Sequence, residues 1–313
     1  MRYLLLYLKG MMMGAADIVP GVSGGTIALI TGVYQELLES INAFSWQNLS
    51  SFKKDGIKGV WKRLKGPFLL SLFGGILSSI LLLSRILEWL LIHEPIGLWS
   101  FFFGLLIASI LFLIKTELHY NALSFLYLFF GAIASYLLTQ LTGVSSNTPL
   151  WYLFFAGFVG ISAMILPGLS GAYILFVLGV YQTVLTDVRM AQEVLIQFDK
   201  EVFIKISSEL GIFILGILVG IKIFAKFLSR LLKHYPQRTV AVLIGLMLGA
   251  LNKVWPWQNS IPKINEDSPQ LMVAVLPKHF NGGDPEIVKA LLLMAVGFSL
   301  LFLLEKKNHL VKT

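Results

Sequence analysis

Gly14-Ala15-Ala16-Asp17-Ile18-Val19-Pro20-Gly21-Val22-Ser23-Gly24-Gly25-Thr26, followed by Gly32-Val33-Tyr34-Gln35, is the stretch on which the reading of this chain turns. It occurs a second time, as Pro167-Gly168-Leu169-Ser170-Gly171-Ala172-Tyr173 followed by Gly179-Val180-Tyr181-Gln182. Pro-Gly-apolar-Ser-Gly, seven residues and Gly-Val-Tyr-Gln thus recur at a gapless offset of 147, with eight identities. Both copies interrupt apolar sequence. Proline removes an amide donor and glycine loosens the backbone, so each copy breaks a helix and lets another start.

The surrounding composition belongs to a membrane. Hydrophobic residues make up 56% and charged residues 13%, with a mean hydropathy of +0.78; a soluble domain carries roughly 25% charged residues. The 313 residues hold about ten apolar segments of the ~20 residues that cross a bilayer. The fold class expected is an all-α polytopic membrane protein. No cysteine is present, which excludes disulfides and thiolate metal sites. The net charge of +8 is read as an excess of Lys and Arg in cytoplasmic loops and not as a nucleic-acid surface. Met1 to Leu8, followed by Lys9, has signal-peptide character, but cleavage after Gly14-Ala15-Ala16 would strip the first motif of its flank, so the segment is expected to be retained.

Apolar segments fall near 3–19, 22–40, 67–92, 96–114, 122–141, 150–166, 169–188, 207–232, 239–252 and 287–304. The repeat extends beyond the motif. Leu83-Ser84-Arg85-Ile86-Leu87 matches Leu228-Ser229-Arg230-Leu231-Leu232 at offset 145, and His93, Pro95 and Gly104 match His234, Pro236 and Gly245 at 141. Residues 1–145 therefore form a first unit, with hairpin 3–40 and spans 67–92, 96–114 and 122–141. Residues 146–313 form a second, with hairpin 150–188 and spans 207–232, 239–252 and 287–304. A hairpin that leaves by the side it entered, plus three spans, turns the second unit upside down and gives an inverted-topology repeat. The loop 45–66 holds Lys53, Lys54, Lys58, Lys62, Arg63 and Lys65, whereas in 186–207 Asp187, Glu193, Asp199 and Glu201 offset the cations. The positive-inside rule then places Met1, 45–66, 115–120, 230–238 and the C-terminus in the cytoplasm. Segments 4–19 and 151–166 reach only about 24 Å, and broken backbone does not face lipid. Both hairpins are expected to be re-entrant, with tips that meet near the midplane.

After each Pro-Gly, Ser23 or Ser170 stands at the N-cap of a restarting helix. The amides of Gly24, Gly25 and Thr26, and of Gly171, Ala172 and Tyr173, lack partners within their helices and suit an anion. The expected substrate-binding set is Asp17, Pro20, Gly21, Ser23, Gly24, Gly25 and Thr26 with Pro167, Gly168, Ser170, Gly171 and Tyr173. Asp17 is matched by apolar Met164. Two roles stand for it: proton or sodium coupling by an intramembrane carboxylate, and local acceptance of hydrogen bonds from the freed amides. Arg85 and Arg230, equivalent by the repeat, complete the set as one guanidinium towards each face, with anchoring at a helix end as the other reading. Tyr34-Gln35 and Tyr181-Gln182 are read as interfacial anchors.

Gly21-Val22-Ser23-Gly24 and Gly168-Leu169-Ser170-Gly171 also fit the Gly-x-Ser-Gly of intramembrane serine hydrolases. That chemistry needs a general base, and His93, His119, His234, His279 and His309 all fall at segment ends, in loops or in the tail. The chain is therefore read as a non-enzyme with no cofactor and no metal site. An ion-coupled transporter of a small anion remains the alternative, because the tip chemistry is indifferent to what the anion is attached to. A homodimer is a further expectation, although GxxxG-like surfaces are sparse.

On the motif from Gly14 to Thr26, Gly32-Val33-Tyr34 and the second Pro-Gly-Leu-Ser-Gly, the whole chain resembles a bacterial and archaeal membrane family. That family was long filed as a domain of unknown function and is now linked to polyprenyl-phosphate translocation. Its motif falls on Asp17, Pro20, Gly21, Ser23, Gly24, Gly25 and Thr26. The resemblance implies return of undecaprenyl phosphate, the carrier lipid of cell-wall polymer synthesis, from the outer to the inner leaflet of the cytoplasmic membrane.

Overall fold

The computed structural model describes residues 2–18, 23–44, 52–140, 149–194, 200–261 and 271–309. The first half of the chain supplies α1 (Arg2–Ile18), α2 (Gly24–Ile30), α3 (Tyr34–Ala43), α4 (Phe52–Arg63), α5 (Gly66–His93), α6 (Pro95–Thr116) and α7 (Ala122–Gln140). The second supplies α8 (Leu150–Ile165), α9 (Gly171–Val177), α10 (Tyr181–Val194), α11 (Lys200–His234), α12 (Pro236–Ala250) and α13 (Ile287–His309). Among the described residues four helices are long and apolar enough to cross a membrane: α5, through its Gly66–Leu83 stretch, α6, α7 and α11. Leu150–Ile165 and Ile287–Leu301 are shorter apolar helices. Many large side chains point outward, among them Leu77, Leu81, Phe129, Phe130, Leu218 and Leu292. An exposed apolar belt on helices of this length identifies a multi-pass membrane protein.

Four helix pairs carry most of the packing: α1 with α5, α8 with α11, α6 with α13, and α7 with α12. Glycines set each crossing. A Cβ at Gly10 would collide with the Leu72 carbonyl and one at Gly75 with the Tyr7 carbonyl; likewise Gly157 meets Phe213 and Gly216 meets Phe154. In the other two pairs Gly104 meets Met294, Gly297 meets Phe101, Gly131 meets Val242 and Gly245 meets Leu128. Exchanging the halves maps each set of contacts onto another. Glycine here lets backbones approach in the absence of a hydrophobic force between helices in lipid. The small-residue surfaces that looked sparse are thus spent inside the chain.

The Gly-Val-Tyr-Gln element is a helix stop. Gly32 and Gly179 have φ of 72° and 70°, a left-handed conformation that glycine adopts without penalty. Gly32 N donates to Leu29 O and Val33 N to Ala28 O; Gly179 N donates to Phe176 O and Val180 N to Leu175 O. This is a Schellman closure, sealed by buried Val33 and Val180. The expected segments 22–40 and 169–188 are accordingly two helices each. Tyr34 is buried and does not act as an interfacial anchor.

The equivalence of Arg85 with Arg230 does not survive. α5 and α11 are unbroken, and their contacts align Leu72 with Phe213 and Gly75 with Gly216, an offset of 141. The same offset holds at their ends, where Glu94 before Pro95 and Tyr235 before Pro236 form matching one-residue breaks. Arg85 therefore aligns with Lys226, and Arg230 with Trp89. A shift of four residues is about one turn, so it preserves the apolar face and passes unnoticed in sequence. The Arg85 side chain lies outside the described residues.

Two further elements were not foreseen. Part of the loop 45–66 is α4, which turns at Gly56 with φ of 65°. After α12 the chain leaves the all-helical plan and forms an antiparallel hairpin, β1 (Gln258–Ile261) and β2 (Leu271–Ala274), with Gln258 opposite Ala274. Trp255 and Trp257 tie it down through bonds of 2.7 Å to the Val275 and Pro285 carbonyls. At the opposite end, Arg2 pairs with Glu36 and Lys65 with Glu39, while Asn42 donates to Ala225 O. These contacts gather the N-terminus, α3, the start of α5 and the C-terminal part of α11.

α10 is amphipathic and lies outside the apolar spans. Its Asp187 carboxyl is held up at about 6 by burial and by the neighbouring charge of Glu209. A carboxyl with a raised folded pKa costs stability as pH rises through that value. Asp187→Asn should therefore raise the melting temperature at pH 7 and have almost no effect near pH 3.5, where the carboxyl is mostly protonated in both states. Equal shifts at both pH values would contradict this account.

Candidate functional site

α1 ends at Ile18, directly after Asp17. Pro20 and Gly21, placed in the site from sequence, lie outside the described residues. Ser23 stands extended at the N-cap of α2 and its hydroxyl accepts from Gly25 N at 3.2 Å. Gly24 N donates to Asp17 Oδ1 at 2.7 Å. A Cβ on Gly24 would strike the other Asp17 oxygen, so this glycine is required for the carboxylate to reach the amide. The local role of Asp17 is therefore present: it answers a donor freed by the helix break.

In the second half Leu166 leaves α8 in extended conformation and Pro167-Gly168 makes the turn. Gly168 has φ of 83°, and a Cβ there would lie 2.7 Å from the Leu246 carbonyl oxygen on α12. Ser170 caps α9 and accepts from Tyr173 N at 3.4 Å. Met164 stands where Asp17 stands in the first half. Among the described residues the amides of Gly171 and Ala172 have no partner.

The two breaks touch. Gly168 N donates to Thr26 Oγ1 at 2.9 Å, Tyr34 OH to Ile165 O at 2.9 Å, and Ser23 Oγ to Leu166 O at 3.5 Å. The first half thus satisfies carbonyls left open at the end of α8. Thr26 is fully buried, so its hydroxyl ties the tips together instead of pointing into a cavity.

Beside this junction lies a cavity of about 270 Å³. Its polar side is formed by Asp17, Ser23, Ser170 and Gly171. Ile161 and Met164 of α8, Leu175 of α9, and Phe213 and Ile217 of α11 form apolar walls, and Tyr181 at the start of α10, read from sequence as an interfacial anchor, lines the cavity as well. Met164 and Ala172 are exposed at its edge. Two hydroxyls and open amides against largely apolar walls suit a ligand with a small anionic head and an apolar body, while the Asp17 carboxylate beside them is engaged with Gly24 N.

Tyr173 faces away from this cavity. Its hydroxyl donates to Thr139 O at 2.9 Å, and Lys253 Nζ lies 4.9 Å from its ring centroid. Arg230 is also elsewhere, in a groove on the far face of α11. Sequence reading missed Lys253 and Lys9. Lys253 follows an apolar helix in a stretch read as a loop, and Lys9, whose Nζ donates to the Thr31 carbonyl at 2.7 Å, lies within the first apolar segment, 3–19. A lone lysine inside or just after an apolar run was the available signal in both cases.

The helices and the cavity define a multi-pass membrane protein with an internal site of amphipathic chemistry. A family described as "VCA0040-like: Undecaprenyl phosphate translocase-like" matches residues 13–271, and the chain belongs to it. A protein named polyprenyl-phosphate transporter from Vibrio cholerae serotype O1 (strain ATCC 39315 / El Tor Inaba N16961) is 39% identical, covering 98% of this chain and 97% of its own length. Another of that name, from Staphylococcus aureus (strain NCTC 8325 / PS 47), is 31% identical over 80% of this chain and 85% of its own. No solved structure matches.

Proposed function

We propose that the protein carries undecaprenyl phosphate from the outer to the inner leaflet of the cytoplasmic membrane, with the phosphate held beside the two Pro-Gly-x-Ser-Gly tips and the prenyl chain left in lipid. The observation that carries this reading is the cavity, where residues from both halves meet: Asp17 and Ser23 from the first, Ser170 and Gly171 from the second. The first tip already holds an anion of its own, the Asp17 carboxylate on Gly24 N. At the second tip Met164 leaves the corresponding amides open, and these, with the Ser170 hydroxyl, are the proposed phosphate donors. α9 has only seven residues, so the donors themselves, and not a helix dipole, do the binding. A hydrogen bond to a charged group contributes about 1.5–3 kcal/mol.

The reciprocal glycine contacts support a pseudo-twofold pair of units, 1–145 and 146–313, each a re-entrant hairpin with three spans and the second inverted. Both termini are then cytoplasmic. Access alternates as the units rock about the tied tips, and Asp17 couples the cycle to protons or sodium. The proposed protomer acts without cofactor or covalent chemistry, and a homodimer is the assembly to test.

The test is headgroup flipping in proteoliposomes loaded with polyprenyl phosphate, with and without a pH or sodium gradient. Wild-type protein should flip the headgroup. Ser170→Ala should do so at least about tenfold more slowly, as expected for the loss of one charge-assisted bond. Undiminished flipping by Ser170→Ala would remove the second tip from the site, and selective uptake of free phosphate would favour the small-anion reading.

A further inference from the structure

α11 is 35 residues long, or about 52 Å at 1.5 Å per residue, well beyond the ~30 Å hydrocarbon core. Its C-terminal part forms a groove of about 380 Å³ with the end of α3. Among the described residues Lys222, Lys226, Arg230, Lys233 and His234 line it, together with Ser229 and Asn42, and no acid does. Lys222 is already committed, because its Nζ donates to the carbonyls of Ile41, Asn42 and Phe44 at the end of α3. Among the described residues Lys226, Arg230 and Lys233 have no carboxylate partner. Three like charges within about two turns repel one another, and an anion between them relieves that cost.

The shape of the surface shows what kind of anion fits. At 100° per residue, Leu215, Leu218, Lys222, Lys226, Ser229 and Lys233 form one stripe along α11, with Arg230 at its edge. Leu215 and Leu218 are about half exposed, so an apolar track runs from the membrane interior up to the cations. Phe213 and Ile217, which wall the cavity at the tips, lie on the opposite face of the helix. The corresponding positions in α5, at offset 141, are Leu81, Arg85, Trp89 and Ile92, so a cation recurs only at the position of Lys226. The groove is therefore a feature of one end of the molecule, the end that carries Arg2 and α3.

We infer that this groove binds the headgroup of an anionic bilayer phospholipid, its phosphodiester held by Lys226, Arg230 and Lys233 and one acyl chain laid along Leu218 and Leu215. The bound lipid clamps α11 to α3 and is distinct from the lipid that is moved, since α11 stands between the two sites.

Delipidated full-length protein titrated with phosphatidylglycerol, phosphatidylcholine or polyprenyl phosphate, with adducts counted by native mass spectrometry, tests this. Wild-type protein should retain phosphatidylglycerol and not phosphatidylcholine. A Lys or Arg near an anionic lipid contributes about fivefold in affinity, so the triple variant Lys226→Gln, Arg230→Gln, Lys233→Gln should bind phosphatidylglycerol roughly a hundredfold more weakly. Unchanged phosphatidylglycerol binding overturns the inference. Loss of polyprenyl-phosphate adducts alone also overturns it and assigns the groove to the transported lipid. If the triple variant is not recovered folded, Arg230→Gln alone, at the exposed rim, should show about a fivefold loss, and Lys226→Arg should show none.

Discussion

Asp17→Asn should leave the protein folded and able to flip its lipid, but at a rate that no longer responds to pH, whereas Asp17→Ala should lose most of its activity at every pH. The two substitutions separate the two roles of this residue. An asparagine carbonyl can still accept from Gly24 N, so the start of α2 keeps its acceptor. Alanine leaves that amide unsatisfied beside the tip junction, at about 1–3 kcal/mol. Only the carboxylate can take up a proton, and it shares a cavity of about 270 Å³ with the proposed phosphate site. Two unit charges about 5 Å apart repel by roughly 3 kcal/mol at an effective dielectric constant of 20. In the proposed cycle, arrival of the phosphate would therefore favour protonation of Asp17, which is how a proton gradient would drive it. Flipping rates measured across pH 5.5–8 check this, with circular dichroism as the control for folding. A wild-type pH profile in Asp17→Asn would move coupling elsewhere, and full activity in Asp17→Ala would leave Asp17 with neither role.

The second large effect is structural. Gly75→Ala should destabilise the protein by about 1–3 kcal/mol, while Gly74→Ala, one residue away, should be neutral or stabilise it by up to about 1 kcal/mol. At Gly75 an added methyl collides with the backbone carbonyl of Tyr7, which cannot move without shifting α1. At Gly74 it meets only the edge of the Tyr7 ring, at 3.9 Å, while the helix gains from alanine. Gly216, the counterpart of Gly75 against Phe154, should behave as Gly75 does. Thermal unfolding in detergent distinguishes the pair, and equal melting temperatures would mean that the α1–α5 crossing does not depend on close approach. α1 carries Asp17, so Gly75→Ala should also slow lipid flipping.

Much of this protein was legible before folding. Membrane residence follows from apolar runs whose length matches the bilayer. The helix breaks follow from Pro-Gly before a capping serine, since those residues dictate local backbone wherever the chain goes. Ser23 and Ser170 were rightly read as N-caps, because capping involves residues only two or three apart. The Gly-Val-Tyr-Gln helix stops are equally local, since their left-handed glycines and Schellman bonds span only a few residues, whereas the reading of the Tyr-Gln pairs as interfacial anchors fails at Tyr34, which is buried.

What the sequence by itself determined is the class of the protein, its duplicated motif and the places where its helices stop. Which groups meet was decided by tertiary structure alone. Thr26 reaches Gly168 across 142 residues, Tyr34 reaches Ile165 across 131, and Asp17 faces Ser170 across one cavity. Such pairings depend on how α1 and α8 cross their partners, and the crossings are set by glycines whose spacing has no meaning until a carbonyl lies opposite. The pairing of Arg85 with Arg230 failed for the same reason. Two apolar helices match almost as well one turn out of register, and only close packing, where a methyl group cannot be accommodated, selects a single alignment.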